Sequence, residues 1–310
     1  MEEGVVKAVE DVSFQLHSNE VLGIVGETGS GKSVTVKSIM RLIKEPGKIV
    51  KGQVLLKDGT DVLKLSKKDL YKIRGKKLSM VFQDPMTSLN PLYTIGDQLI
   101  ETIILHQNVS KSEAWEIAVK SLSLAGIPNP EERMKSYPFE YSGGMRQRVV
   151  IAIAISCNPE ILIADEPTTA LDVTIQAQII ELFKELQERL KTGLIFITHD
   201  LGVIAEIADR VMVMYGGKQM ELGTAEDIFY KSYHPYTKML LNCVPRVDMK
   251  KNELKPIPGQ PPRMINIPPI CPFYPRCPRK IDKCAQSLPE FKEIEPGHFV
   301  RCHNPVKRGD

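Results

Sequence analysis

Apolar residues in this chain gather in short continuous runs, separated by longer stretches where they recur at helical spacing. The runs lie in Val21–Val25, Leu78–Phe82, Ile161–Ala164, Leu194–Thr198 and Arg210–Tyr215. Runs so short and unbroken predict strands buried on both faces. Weaker alternation predicts further strands at Val5–Val9, Val12–Leu16 and Gly52–Lys57, the last closed by an Asp58-Gly59 turn. Helical spacing predicts a helix over 34–43. Another falls within Lys64–Lys77, polar and basic, where a solvated surface helix is the plain reading.

Residues 96–155 read as helical throughout. Ser110 to Glu113 forms a capping box, Ala114, Ile117, Ala118, Leu122 and Ala125 mark one face, and Gly126 with Pro128 stops the helix. Trp115 reads as packing. A second helix runs from Ser142 to about Ser156. A long helix from about Thr174 to Lys191 lies between two apolar runs, and that strand–helix–strand unit implies a parallel sheet with a right-handed crossover. After about residue 230 periodicity fades. Pro256–Pro269 holds six prolines and reads as an extended connector. There are no internal repeats.

One strand-to-helix junction carries chemistry. Gly26-Glu27-Thr28-Gly29-Ser30-Gly31-Lys32-Ser33 reads G-x-x-x-x-G-K-S between the Val21–Val25 run and the next helix. Glycines let backbone N–H groups curl around an anion, and the helix N-terminus adds partial positive charge there. Lys32 can reach β- and γ-phosphates, and the Ser33 hydroxyl can ligate Mg2+. Two further stretches bear on it. The Ile161–Ala164 strand ends in Asp165 and Glu166. One carboxylate suits a Mg2+ water shell and the next suits orienting or deprotonating a water. Asp-Glu before a proline also commonly just ends a strand. Ser142-Gly143-Gly144 places a hydroxyl and two glycines at a helix start, either an ordinary N-cap or a second anion site.

Length and composition set the frame. The chain has 310 residues, which makes two units the natural expectation. Apolar content of 42% gives material for a sizeable core, and 41 basic against 38 acidic residues argue against a protein built mainly to grip nucleic acid. No apolar run reaches the length of a membrane span, and the Met1-Glu2-Glu3-Gly4 start lacks a signal-peptide core. These features predict a cytosolic chain that meets a membrane only through partners. Disulfides are not expected there.

In this order the motifs resemble the ATP-binding-cassette (ABC) ATPases over residues 4 to about 230. The matching stretches are the phosphate loop, Gln83, the signature Ser142-Gly143-Gly144-Met145-Arg146-Gln147-Arg148, Asp165-Glu166, the Ala170-Leu171-Asp172 turn and the switch Thr198-His199-Asp200. Tyr141 stands where many members have Leu. The resemblance implies an α/β P-loop fold: a RecA-like parallel-sheet core, an antiparallel β subdomain and a helical subdomain at about 86–157. It implies a head-to-tail dimer with ATP at two interfaces. Gly26, Glu27, Thr28, Gly29, Ser30, Gly31, Lys32 and Ser33 of one subunit would bind the phosphates. Ser142, Gly143, Gly144, Gln147 and Asp172 would complete nucleotide binding, with Ser142 and Gly144 closing from the partner. Ser33, Gln83 and Asp165 would hold Mg2+, Glu166 would act as base, and His199 would contact the γ-phosphate. A lone histidine is more often structural; its place straight after a strand favours the switch role. The family's adenine-stacking aromatic has no counterpart before Phe14, which reads as core. Adenine contact is therefore expected to be weak, or the N-terminus truncated.

Residues 82–91, Tyr233-His234-Pro235-Tyr236-Thr237 and Ile257-Pro258-Gly259-Gln260-Pro261-Pro262 resemble the ATPase subunits of bacterial dipeptide and oligopeptide importers. This implies residues 1–230 as ATPase domain and 231–310 as an irregular extension. It also implies a homologous ATPase partner (a homodimer in isolation is the other form), two membrane permeases and, indirectly, an extracytoplasmic peptide-binding protein. The location implied is the cytoplasmic face of the membrane, with no nucleic acid. In the segment 255–310, Cys271, Cys277, Cys284 and Cys302 are spaced C-x5-C-x6-C-x17-C. Four soft thiolates without C-x2-C clips suit a 4Fe–4S cluster, with zinc as the alternative and unligated or disulfide-bonded cysteines the plain reading. Four-cysteine extensions of this importer branch serve as cluster sites, which favours the cluster. A soluble ABC ATPase acting on nucleic acid or ribosomes is the competing function. Arg276, Arg279, Lys280 and Lys283 keep it open, and a solvated face explains them equally.

Overall fold

A computed structural model describes residues 4–169, 171–243 and 256–307. In chain order the elements are β1 (Val21–Val25), α1 (Lys32–Ile39), α2 (Lys67–Ile73), β2 (Leu78–Val81), α3 (Pro85–Ser88), α4 (Ile95–His106), α5 (Lys111–Leu124), α6 (Pro130–Arg133), α7 (Gly143–Ile155) and β3 (Ile161–Asp165). Next come α8 (Val173–Leu190), β4 (Gly193–Ile197), α9 (Leu201–Ile207), β5 (Arg210–Tyr215), β6 (Lys218–Thr224), α10 (Ala225–Tyr230), α11 (Pro235–Asn242), α12 (Lys283–Gln286), β7 (Lys292–Glu295) and β8 (His298–Val300). The described residues fall into two compact units.

One unit comprises residues up to Gln15, Val21–Thr35 and those from Thr198 onward. Its strands lie in the order β1-β5-β6-β8-β7. β1 and β5 are parallel, Leu22 opposite Arg210, and the remaining pairs are antiparallel. Leu22, Ile24, Val211 and Met212 are fully buried, as the continuous apolar runs require. Gly23 lets α9 close on β1, because a Cβ there would meet the Ile204 side chain at 2.9 Å.

The other unit comprises Leu16–Glu20 and Val36–Ile197. It holds the parallel strands β2-β3-β4, with Leu78 opposite Ile161 and Ile161 opposite Gly193. The long helix α8 connects β3 to β4 as the pattern predicts, and its Phe183 meets Phe196 of β4 edge-on at 5.3 Å. In the helical stretch, Ser110 and Glu113 form the capping box in both directions. Tyr141 is buried, and its hydroxyl donates to the Arg133 carbonyl (2.7 Å). Burial pushes that phenol up to about 12. The ring therefore ties the segment ahead of α7 to the end of α6.

Three predicted strands do not form ladders. The segment at Val5–Val9 makes one isolated bridge, Val6 to Ile265, flanked by hydrogen bonds to residues 264 and 266. Its partner lies between Pro261-Pro262 and Pro268-Pro269, and prolines have no N–H to extend a ladder. Val12–Leu16 alternates in exposure without strand pairing, and Phe14 is half-buried rather than core. Gly52–Lys57 contributes only the bridge Leu55 to Asp61. There the Asp61 carboxylate accepts from Val54 N (3.1 Å) in place of a ladder bond.

The region after residue 230 is more ordered than its composition suggests. β8 adds to the sheet beside β6, and Glu221 of β6 is buried beneath it. That carboxylate accepts from the Tyr233 and His234 backbone N–H groups and pairs with His298 Nε2 (2.9 Å). His234 caps α11 through Nδ1, which accepts from Tyr236 N (3.0 Å), and burial holds its imidazole neutral, with a pKa lowered to about 3. An unfolded chain protonates this histidine near its ordinary value of about 6.5, so between there and about 3 the unfolded state binds the extra proton. Stability should fall as pH drops through that window. His234→Asn, which retains a cap, should flatten the slope by about 1.4 kcal/mol per pH unit in urea melts run from pH 6 to pH 4.

Candidate functional site

The phosphate loop leaves β1 without a break. Gly26 has φ 149°, and a Cβ on it would stand 2.2 Å from the Met214 carbonyl oxygen. Only glycine allows this approach to β5. The β5–β6 turn packs on the loop from one side: Gly217 N donates to Ser30 O (2.9 Å) and Glu10 N to Gly217 O (2.8 Å). Lys32 is buried, and its ammonium donates to the carbonyls of Gly26 (2.8 Å) and Glu27 (3.2 Å). α1 begins at Lys32, so the loop ends at a helix N-terminus.

Glu27 is held at three points. Its N–H donates to Tyr236 Oη (2.9 Å), its carbonyl accepts from Lys32, and its carboxylate takes a two-pronged grip from Arg276 (2.6 and 3.0 Å). Arg276 is not among the predicted site residues. A carboxylate within a phosphate loop signals that a counter-cation is needed, but nothing in the spacing picks out a residue 249 positions away. Arg276 is also removed from the basic group weighed for nucleic acid, since its side chain is 5% exposed and fully engaged. Lys280 lies over the Tyr274 ring.

Asp165 is buried at the end of β3, and Glu166 continues in left-handed backbone (φ 50°). Non-glycine residues rarely adopt that conformation, and those held in it concentrate at functional sites. Glu166 Oε2 accepts from Gln83 Nε2 (2.9 Å) and from Thr169 Oγ1 (3.1 Å). Two residues predicted for one reaction, 83 positions apart, are thus in direct contact. Thr169 is a partner that the motifs do not suggest.

Ser142 caps α7, its Oγ accepting from Met145 N (3.4 Å), and Ser142 and Gly143 are exposed. Gly144 is buried against Ile175 of α8, where a Cβ would sit 2.7 Å from a methyl. Gln147 is buried on the same helix. Arg146 donates to the Pro138 carbonyl (2.8 Å) and to the Met86 sulfur, joining α7 to the segment after Gln83. Asp172 caps α8 by accepting from Ile175 N (2.9 Å), while Ala170 of the same turn lies outside the described residues. His199 is exposed, and the adjacent Asp200 caps α9. In the stretch after Gln83 the apolar residues Met86, Leu92 and Tyr93 are exposed, as are Phe82 before it and Phe139.

All six cysteines are free of disulfides. Burial pushes the Cys271 thiol up to about 11 and the Cys302 thiol up to about 12, and raises Cys277 as well. Cys271 N donates to the Cys284 carbonyl (3.3 Å), which brings these two positions together. Among the described residues, no three His, Cys, Asp or Glu side chains are gathered so as to hold a metal ion. The metal-ligand reading of the four cysteines is not borne out by this geometry.

Comparison with known proteins finds two family models in sequence. One, described as ABC transporter, matches residues 9–169, and one described as oligopeptide/dipeptide transporter, C-terminal region, matches residues 220–284. The chain is 54% identical to the dipeptide transport ATP-binding protein DppD of Bacillus subtilis over 300 residues, 96% of this chain and 89% of that protein. It is 50% identical to the oligopeptide transport ATP-binding protein OppD of Escherichia coli over 305 residues, 98% of this chain and 90% of that one. Among solved structures, the ATP-binding cassette MJ0796, a dimer in a post-hydrolysis state bound to ADP and Pi, matches with TM-score 0.63. It is 30% identical and spans 73% of this chain and 94% of that one.

The Gly26 geometry gives a direct test. Gly26→Ala should cost about 3 kcal/mol, read by urea denaturation, because its backbone angle and the Met214 carbonyl both exclude a Cβ. A loss under about 0.5 kcal/mol would show that the loop adapts.

Proposed function

Since the chain belongs to the ABC transporter family, we propose that it is the ATP-binding and hydrolysing subunit that powers a bacterial importer of dipeptides or oligopeptides. The observation that carries the reading is the near-complete likeness to peptide-transporter ATPases, with a peptide-transporter C-terminal region at residues 220–284. The nucleic-acid alternative is unsupported by those relatives.

The residues divide the work. Backbone N–H groups of Gly26–Ser33, with Lys32, bind the phosphates. Ser33, Gln83 and Asp165 offer the hydroxyl, amide and carboxylate oxygens that suit Mg2+, which when bound neutralises phosphate charge. Glu166, oriented by Gln83 and Thr169, accepts a proton from the attacking water. His199 meets the γ-phosphate side. Ser142 and Gly144 close over the γ-phosphate of a partner subunit's nucleotide in a head-to-tail dimer, and Gly143, Gln147 and Asp172 complete nucleotide binding. Hydrogen bonds to a charged phosphate are worth about 1.5–3 kcal/mol each, so their loss on hydrolysis favours opening. The exposed cap Ser142 and neighbouring Gly143 support this assignment.

The same reading supplies the partners: a homologous ATPase and two permeases, with a peptide-binding protein acting through them. The exposed residues Phe82, Met86, Leu92, Tyr93 and Phe139 support a permease docking surface. Peripheral attachment at the cytoplasmic face belongs to the same reading, by likeness to transporter ATP-binding proteins; among the described residues no helix is long and apolar enough to cross a membrane. Residues 1–230 form the ATPase domain, with a helical part at about 86–157. Residues 231–310 form the extension, its cysteine lobe at about 255–310. Cys271, Cys277, Cys284 and Cys302 would hold a 4Fe–4S cluster in preference to zinc, a reading that rests on the softness of four thiol donors and not on their arrangement.

Purified with its permeases and binding protein, the subunit should show ATPase activity stimulated by peptide; peptide-independent activity, or co-purification with nucleic acid instead, would overturn the reading. Glu166→Gln should lower turnover by on the order of a hundredfold and trap an ATP-bound dimer on gel filtration, whereas near-normal turnover would refute the base. Anaerobically purified protein should be brown and contain about four irons per chain. A colourless, zinc-loaded sample would exclude the cluster.

A further inference from the structure

A carboxylate in the wall of an anion site works against its ligand. Glu27 stands in such a place, one residue after the first glycine of the phosphate loop. Its side chain is 25% exposed, and Arg276 takes both of its oxygens, Nη1 to Oε2 at 2.6 Å and Nη2 to Oε1 at 3.0 Å. The guanidinium is itself fixed. Nε donates to Pro258 O (2.8 Å), Nη2 to Ile257 O (3.1 Å) and Nη1 to Tyr215 Oη (3.1 Å), and the ion lies over the Tyr215 ring. Tyr215 packs in turn against Tyr236, whose hydroxyl accepts from the Glu27 N–H. The Glu27 carbonyl accepts from Lys32, so the loop's acid lies close in the chain to the ammonium that meets phosphate.

We propose that Arg276 is a positioning residue of the nucleotide site: it neutralises the loop's own carboxylate and holds it aside from the triphosphate. Without Arg276, Glu27 would be free to pair with Lys32 and compete with the ligand for it. A lysine at 276 would keep the charge but lose the two-pronged fit. Arg276 lies in the turn Tyr274–Arg276, directly before Cys277. The cysteine-rich segment thus supplies a residue on which the phosphate loop depends. The inference rests on the ATPase reading for the identity of the ligand, and on geometry for the grip.

Binding of a fluorescent ATP analogue with Mg2+, together with steady-state hydrolysis by the full chain, tests it. Arg276→Met should raise Kd and KM about tenfold while kcat stays within about twofold, the size set by losing charge-assisted bonds. Arg276→Lys should lose about threefold. Adding Glu27→Gln to Arg276→Met should recover most of the affinity, because the competing charge is gone. A purely structural role for Arg276 would give no such rescue. Should Arg276→Met melt below the assay temperature, Arg276→Lys with and without Glu27→Gln decides by the same criteria. ATP affinity within about twofold of wild type in the single variants, or no recovery in the double, overturns the proposal and leaves the ATPase reading standing. A folded wild type that binds no ATP overturns both.

Discussion

A loop that presents backbone N–H groups to an anion needs its shape fixed before the anion arrives, because an unconstrained loop would turn those groups to water or to its own carbonyls. In this chain the fixing comes from residues well beyond the loop. The Met214 carbonyl and the Gly217 N–H define one wall, Tyr236 and Arg276 hold Glu27, and Lys32 is folded back onto the loop's carbonyls. The G-x-x-x-x-G-K-S pattern is therefore necessary but not self-sufficient: its conformation depends on β5, on α11 and on the turn Tyr274–Arg276. Tyr215, Tyr236 and Phe273 form the packed base of that arrangement, with ring centres 4.6–5.3 Å apart.

The Asp165-Glu166 edge is set by a different device. β3 is buried along most of its length and ends in buried Asp165, which fixes where the chain emerges. Glu166 then takes a left-handed backbone angle at a cost of about 1–3 kcal/mol. The strand on one side, the Glu166 N–H bond to Ile197 O (2.9 Å) and the side-chain bonds to Gln83 and Thr169 together offset that cost. Gln83 is exposed, as are Phe82 and Met86 beside it in the chain. One hydrogen bond therefore links the exposed Gln83 to the Glu166 carboxylate.

Legibility in the sequence tracks local determinacy. The buried strands and α5, α7 and α8 are readable because continuous apolar runs and Ser or Asp caps fix them within a few residues. The candidate site residues are readable because each motif is a short pattern with its own strand or helix end. Val5–Val9 fails as a strand because alternation alone does not supply a partner with free N–H groups, and Gly52–Lys57 pairs only with the residues just past its own turn, Val62 N donating to Val54 O. β6, β7 and β8 are invisible for the complementary reason. β6 buries Lys218, Gln219 and Glu221, polar residues whose burial is possible only with specific partners, and no pattern reports those partners. Arg276 escapes likewise: its charge is visible in the sequence, its destination is not.

The cysteine-bearing segment shows the consequence of such long-range pairing. It is too short and too poor in apolar residues to form a core by itself. Its described residues are nonetheless anchored to the ATPase fold. Arg276 grips Glu27, β8 adds to β6, and buried Arg301 reaches Asp11 (2.8 Å) and the Pro289 and Gln219 carbonyls. Two segments joined in this way share one stability. A ligand bound to the phosphate loop in its held form stabilises the segment, and anything that cross-links the four cysteines in their folded arrangement stabilises the held loop by the same coupling energy. The reciprocity couples the segment to the phosphate loop on thermodynamic grounds, whichever chemistry its thiols carry.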